Sequence, residues 1–154
     1  MILNITLFVA LIAYSIIVSQ SFMYVLALRN TQLRMDAHSY IVFRHLVDAN
    51  MQAKFRYVVY ASIVATLTVT ILTLSSGSGL MIGCTAFAFV ALVADTAVTI
   101  RGNLPINKIM NTWSAEAYPA DWSTLRAKWL HCFQWRQIFN VTGFVALVAG
   151  VVFG

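Results

Sequence analysis

The chain has 154 residues, 60% of them hydrophobic and only 10% charged, with a mean hydropathy of +0.80. Soluble domains are about one-quarter charged, so this composition excludes a water-soluble globule and fits one membrane domain. The formal charge of +5 does not mark a nucleic-acid binder, because the basic residues flank apolar runs instead of covering a soluble surface.

The first apolar run covers 2–28. It lacks a basic region ahead of it and far exceeds the apolar core of a secretory signal, so it reads as a retained helix. Gln20 and Tyr24 lie four apart in it, with Tyr14, Ser19 and Ser21 nearby. Polar side chains at this depth are expected to face the bundle, where they either line a ligand pocket or join helices.

In the segment that follows, Tyr40, Phe43, Val47 and Met51 recur at three- and four-residue spacing, which predicts a helix over 36–54 that can run on into the second span. His38, His45, Asp48 and Gln52 fall on the opposite face. If the apolar stripe faces lipid, His45 and Asp48 turn toward the bundle, over the turn at 103–107, while His38 stays exposed. A simply solvated polar face gives the same pattern.

Runs 55–74 and 80–100 are joined by the uncharged turn Ser75-Ser76-Gly77-Ser78-Gly79, which predicts an antiparallel hairpin. Runs of about 20 residues, at 1.5 Å rise each, cross a hydrocarbon core of roughly 30 Å. Asp95 is the one carboxylate well inside an apolar run. A charge there is costly and marks a functional-site candidate, or it pairs with Arg101 or Arg136 and pins helices together.

Gly102 and Pro105 are expected to interrupt helix at the membrane edge, and Asn103, Asn107 and Asn111 are spaced by four. Non-regular polar backbone at that depth suits the floor of a binding cavity; a helix-ending turn is the plainer reading. Pro119 marks a turn, and Asp121 is placed to cap a helix whose stripe Trp122, Leu125, Trp129 and Phe133 leads into the fourth run, 133–153. Trp113, Trp122, Trp129 and Trp135 fit an interfacial aromatic belt.

All ten Lys and Arg fall in or beside 29–54 and 101–132. By the positive-inside rule both connections are cytoplasmic, with the termini and the Ser/Gly turn outside, as in a bacterial inner-membrane protein. The expected fold is all-α: a single membrane domain over 1–154, a four-helix bundle with helical cytoplasmic extensions before the second and fourth spans.

Cys84 and Cys132 have no metal-ligand spacing, and Glu116 is the only Glu, too few for a di-iron carboxylate site. The expectation is no cofactor, with haem between His45 and His131 as the alternative. Nucleotide-binding and hydrolase motifs are absent from the sequence.

The pattern Gly102-Asn103-x-Pro105-x-Asn107, then Trp113, then Pro119-Ala120-Asp121-Trp122, Arg126, Trp129 and Arg136, resembles the anthrone oxygenase-like family of small four-helix membrane proteins. The stretch Ser39-Tyr40-Ile41-x-Phe43-Arg44-x-x-x-Asp48 is similar to a segment after the first span of its bacterial members. The resemblance implies oxidation of anthrones to anthraquinones by molecular oxygen, without metal or flavin. Many members carry a His between the equivalents of Trp129 and Arg136; here Phe133 stands at that place and His131 lies two residues earlier.

Two functions follow from these residues. The first is an oxygenase or oxidoreductase acting on a lipophilic phenolic, anthrone-like or quinone-like molecule that enters from the bilayer. In it Asp95 or His45 is the base, Asn103, Asn107 and Arg136 stabilise the developing oxyanion, and Gln20 and Tyr24 contribute to the substrate pocket. The second is a non-catalytic membrane subunit or scaffold whose polar residues hold helices, alone, as a homo-oligomer or in a larger complex. A small transporter fits less well, since the chain has one deep charge and no inverted repeat.

Overall fold

The computed structural model describes the backbone of all 154 residues and the side chains of all but Gln52, Ala53 and Ser76, so the expected placements of Gln52 and Ser76 lie outside the described residues. The described elements are helical: α1 (Ile2–Met23), α2 (Arg29–Arg34), α3 (Ala37–Ser76), α4 (Gly79–Val98), α5 (Leu104–Met110) and α6 (Trp122–Phe153). A π-helical turn joins α1 to α2 (Tyr24–Leu28) and another joins α4 to α5 (Thr99–Asn103). Among the described residues, four helical runs are long and apolar enough to cross a membrane: Ile2–Arg34, Lys54–Ser75, Gly79–Met110 and Trp122–Phe153. The chain is an integral membrane four-helix bundle.

Helix α1 packs on α3 and α6, α3 on α4, and α4 most extensively on α6, which closes a ring of four. Large apolar side chains such as Ile5, Phe8, Ile12, Leu26 and Val64 cover the outside. In water this surface would be an aggregation liability; against acyl chains it is the expected exterior of a bundle.

The extension before the second span is continuous with it, as the periodicity predicts. Asp36 accepts from the Ser39 backbone N–H at 3.0 Å and so caps the 40-residue α3. Its inward row is not the reverse of the apolar stripe, however. Tyr40 is fully buried, joined at four-residue intervals by Arg44 and Asp48, while Phe43, Val47 and Met51 are half-buried.

Three further expectations are corrected. Gly102 and Pro105 do not break the third span. Pro105 has no N–H and would leave a carbonyl one turn back unpaired, but it sits in the first turn of α5, just after the π-helical turn, and helix runs on to Met110. Gly102 lets this turn approach α6, since a Cβ there would lie 2.8 Å from Cys132 Sγ. Helix α6 begins where expected, after Asp121, yet the Asp121 side chain makes no capping bond; the backbone turn does, with Trp122 N–H donating to Pro119 O at 3.1 Å and Thr124 N–H to Asp121 O at 2.9 Å. Trp113 and Trp129 belong to the buried core and not to a surface belt, whereas Trp135 is exposed.

Candidate functional site

The core is divided in two. At the end nearer the Ser/Gly turn, Leu7, Ala10, Tyr14, Ile17, Val69, Leu92 and Leu147 pack together with their neighbours. At the charged end, Tyr24, Tyr40, Ile41, Met110, Trp113, Trp129, Leu130 and Phe133 form a second cluster. Between Ile17 on α1 and Tyr24 in the π-helical turn the buried residues are Val18 and Ser21; on α4 the inward residue is Asp95; on α6, between Phe133 and Leu147, they are Arg136, Gln137, Asn140 and Gly143. The seven-position step from Ile17 to Tyr24 corresponds to a slab about 10 Å thick. This layer is polar, and both its boundaries are apolar.

The charge in the layer is neutralised internally. Asp95 is 2% exposed, and Arg136 Nε donates to its Oδ1 at 2.7 Å. Of the two expected partners the sequence offered, Arg136 is the one used; Arg101 is exposed. The neutral polar groups are less well served. Gln137 Nε2 donates to Phe133 O at 2.9 Å, but Gln137 Oε1, Asn140 Oδ1, Ser21 Oγ and Tyr14 Oη are buried and have no hydrogen-bond partner in the protein. Each such group costs about 1–3 kcal/mol when left unpaired, a cost that polar atoms of a ligand would relieve.

Tyr14 reaches this layer from α1. Its hydroxyl occupies the space that a side chain at Gly143 would need, and a Cβ at Gly143 would also lie 2.8 Å from that of Ala91. Glycine at this position is therefore a steric requirement of the Tyr14 hydroxyl. Ala91 is one helical turn from Asp95, and Tyr14 lies within range of the Asp95 charge.

Above the layer, toward the charged end, stand four side chains in sequence. Arg136 lies over Phe133 at 5.0 Å, Phe133 stacks on Trp129 at 4.5 Å, and Arg44 lies over Trp129 at 4.3 Å. Tyr24 meets Phe133 edge-on at 4.6 Å. Asn107 Oδ1 accepts from both Arg44 Nη2 at 2.8 Å and Trp129 Nε1 at 2.7 Å, and Asn103 Nδ2 donates to Trp129 O at 3.1 Å. Burial pushes the Arg44 pKa down and the Tyr40 pKa up; the Trp129 face and the Asn107 oxygen offset the Arg44 desolvation.

The structure thus separates the expected site residues. Asp95 and Arg136 meet in the polar layer. Asn103, Asn107 and Tyr24 belong to the aromatic network on the far side of Phe133. Gln20 is half-buried, beside Ser21 but off the inward row. His45 is half-buried with Nε2 3.4 Å from Met110 O, Asp48 accepts from Asn111 Nδ2 at 2.6 Å, and His38 is exposed. His131, the other expected haem ligand, is exposed and lines an outer groove with Pro105 and Ile106. Among the described residues, no group of three or more His, Cys, Asp or Glu side chains converges.

Gln137 and Asn140 are buried polar residues of this layer that the sequence reading passed over. Their signal was present: Arg136, Gln137 and Asn140 are polar residues at one- and four-residue offsets at the start of an apolar run, on one helical face. No protein-family model, no curated protein and no solved structure matches the chain.

Proposed function

We infer that the polar layer binds a lipophilic small molecule carrying phenol, enol or quinone oxygens, and that the protein is a membrane-embedded oxidoreductase oxidising an anthrone-type substrate with molecular oxygen. The observation that carries this reading is the buried Asp95–Arg136 pair together with the unpartnered polar atoms of Tyr14, Ser21, Gln137 and Asn140 in the same layer. Buried ionisable groups inside spans face functional cavities or partners by default. The sequence resemblance supports the same chemistry.

In this reading Asp95 Oδ2, the oxygen not bound by Arg136, takes a proton from the acidic methylene of the substrate. The resulting carbanion transfers electrons to O2, and a carbon–oxygen bond forms. The distal oxygen of the hydroperoxide recovers a proton. Loss of water, with cleavage of the O–O and remaining C–H bonds, leaves the carbonyl; one O2 is consumed and one water released for a four-electron oxidation. Arg136 holds the carboxylate in place, the amide oxygens of Gln137 and Asn140 accept from a substrate hydroxyl, and the hydroxyls of Tyr14 and Ser21 donate to the substrate oxygen as charge develops on it. Phe133 closes the layer on the side where Asn103 and Asn107 lie, so those two residues act by holding Trp129. In this reading the basic end lies in the cytoplasm of a bacterial inner membrane, an orientation that the positive-inside rule supports.

A non-catalytic membrane subunit is the second reading. It is favoured by one observation: Arg126 donates to Gln32 O and Met35 O, at 3.1 and 2.9 Å, and with the Asp95–Arg136 pair ties three helical runs together, which serves assembly without any substrate. Titration of a hydroxylated anthraquinone into protein in lipid nanodiscs distinguishes the two. The enzyme reading expects saturable binding weakened about tenfold or more by Asn140→Leu or Gln137→Leu and unaffected by His38→Ala. Partition equal to that of protein-free nanodiscs supports the subunit.

A further inference from the structure

Outside the bundle, a groove of about 520 Å³ runs between the end of the third span and the beginning of α6. Its floor is Gly102, Pro105, Ile106, Ala127 and Cys132, and three side chains that carry or can carry positive charge, Arg101, Lys128 and His131, stand along it. All three are exposed, and none of the five carboxylates of the chain lines the groove. The floor is low because Gly102 has no side chain, so the π-helical turn comes down onto Cys132. Pro105, in the first turn of α5, presents a ring and no N–H.

The groove also has a direction. Trp135 and Ile138 lie one and two turns beyond His131 on α6, and both are exposed, as is Ile100, the neighbour of Arg101 in the chain. Toward one end the groove therefore opens among basic side chains at the end of the spans. Toward the other it continues into an apolar surface with an indole at its margin, the position tryptophan takes beside lipid ester groups. A soluble anion would use only the first half of this surface. A molecule with a phosphate at one end and acyl chains at the other uses both.

The geometry points to a binding site for an anionic phospholipid, its phosphate between Arg101 and Lys128 with His131 beside it, and its acyl chains along Trp135 and Ile138. Basic pockets between spans at the headgroup level recognise such lipids by this combination of charge and apolar wall. The site lies on the outside of α6 and is independent of the polar layer and of the chemistry assigned to it.

Native mass spectrometry of the full chain, released from micelles supplemented with phosphatidylglycerol or with phosphatidylcholine of identical acyl chains, tests this. One phosphatidylglycerol is expected to be retained in clear excess over phosphatidylcholine. Its apparent affinity should fall roughly twenty-five-fold in the Arg101→Gln/Lys128→Gln double variant, given a contribution of about fivefold for each basic residue. The charge-exchanged Arg101→Lys/Lys128→Arg variant should keep most of it. Arg29→Gln/Arg34→Gln, which removes the same charge from exposed positions elsewhere, should leave it unchanged. Equal loss in the two glutamine pairs would reduce the effect to general electrostatics and overturn the site. So would equal retention of the two lipids, or full competition by millimolar glycerol phosphate, which would make it a site for soluble phosphate.

Discussion

Arg136 Nε and Asp95 Oδ1 meet at 2.7 Å between two apolar clusters, and this pair is the strongest link between α6 and α4 inside the polar layer. Removing one partner leaves the other as an uncompensated buried charge, a loss of about 3–5 kcal/mol in comparable buried pairs. Arg136→Met should therefore lower stability by that order. Asp95→Leu combined with Arg136→Met should restore most of it, because apolar replacement of a whole buried pair is near neutral. Unfolding of the parent chain and the two variants in one detergent measures both values. Turnover should remain absent in the stable double variant, which separates the structural from the chemical use of the pair.

Gly143 and Tyr14 should behave as a coupled pair. Gly143→Ala places a methyl group against the Tyr14 hydroxyl and 2.8 Å from Ala91, and overpacking of this kind costs about 1–3 kcal/mol. Tyr14→Phe removes the hydroxyl, so the double variant should be more stable than the sum of the single effects. A double-mutant cycle on unfolding free energies reads the coupling.

Asn107→Leu should destabilise the charged end, because one oxygen serves both Arg44 and Trp129. Each donor left unpaired costs about 1–3 kcal/mol. The same substitution should leave the Asp95–Arg136 pair intact, since Phe133 and Trp129 stand between them. Hydrogen exchange localised to α5 and the first turns of α6 checks the prediction.

Asp36 supplies a pH dependence with a defined sign. The Ser39 N–H and hydroxyl hold its carboxyl below the ordinary value of 3.8. Its contribution is present above that value and disappears as pH falls through the lower folded pKa. Asp36→Ala should thus be less stable than the parent chain at pH 6, and the difference should vanish in strong acid. Thermal melts across that range measure it.

The spans were legible because a membrane imposes long apolar runs, and the pairing of Asp95 was legible because an isolated charge in such a run requires a partner. Pro105 misled because a π-helical turn absorbs the missing N–H by shifting the hydrogen-bond register, and hydropathy carries no trace of register. Trp129 misled for a different reason: aromatic residues near span ends are common in both belts and cores, and only Asn107, Arg44 and Phe133 converging on it from elsewhere decide which. The polar layer was half legible. Its charged pair stood out, whereas the contribution of Tyr14 depends on Gly143 in a distant helix.

The central claim is that Asp95 is the base of an oxygen-consuming reaction in the polar layer. It is tested most directly by oxygen uptake with a hydroxylated anthrone, comparing nanodiscs of the parent chain, Asp95→Asn, His45→Ala and no protein. The account predicts uptake above the protein-free rate with one O2 per anthraquinone formed, a loss of about 10²–10⁴-fold in Asp95→Asn, and retention within a few-fold in His45→Ala, whose imidazole is engaged at Met110 O. Uptake by the parent chain no faster than in protein-free nanodiscs, or undiminished in folded Asp95→Asn, would contradict it.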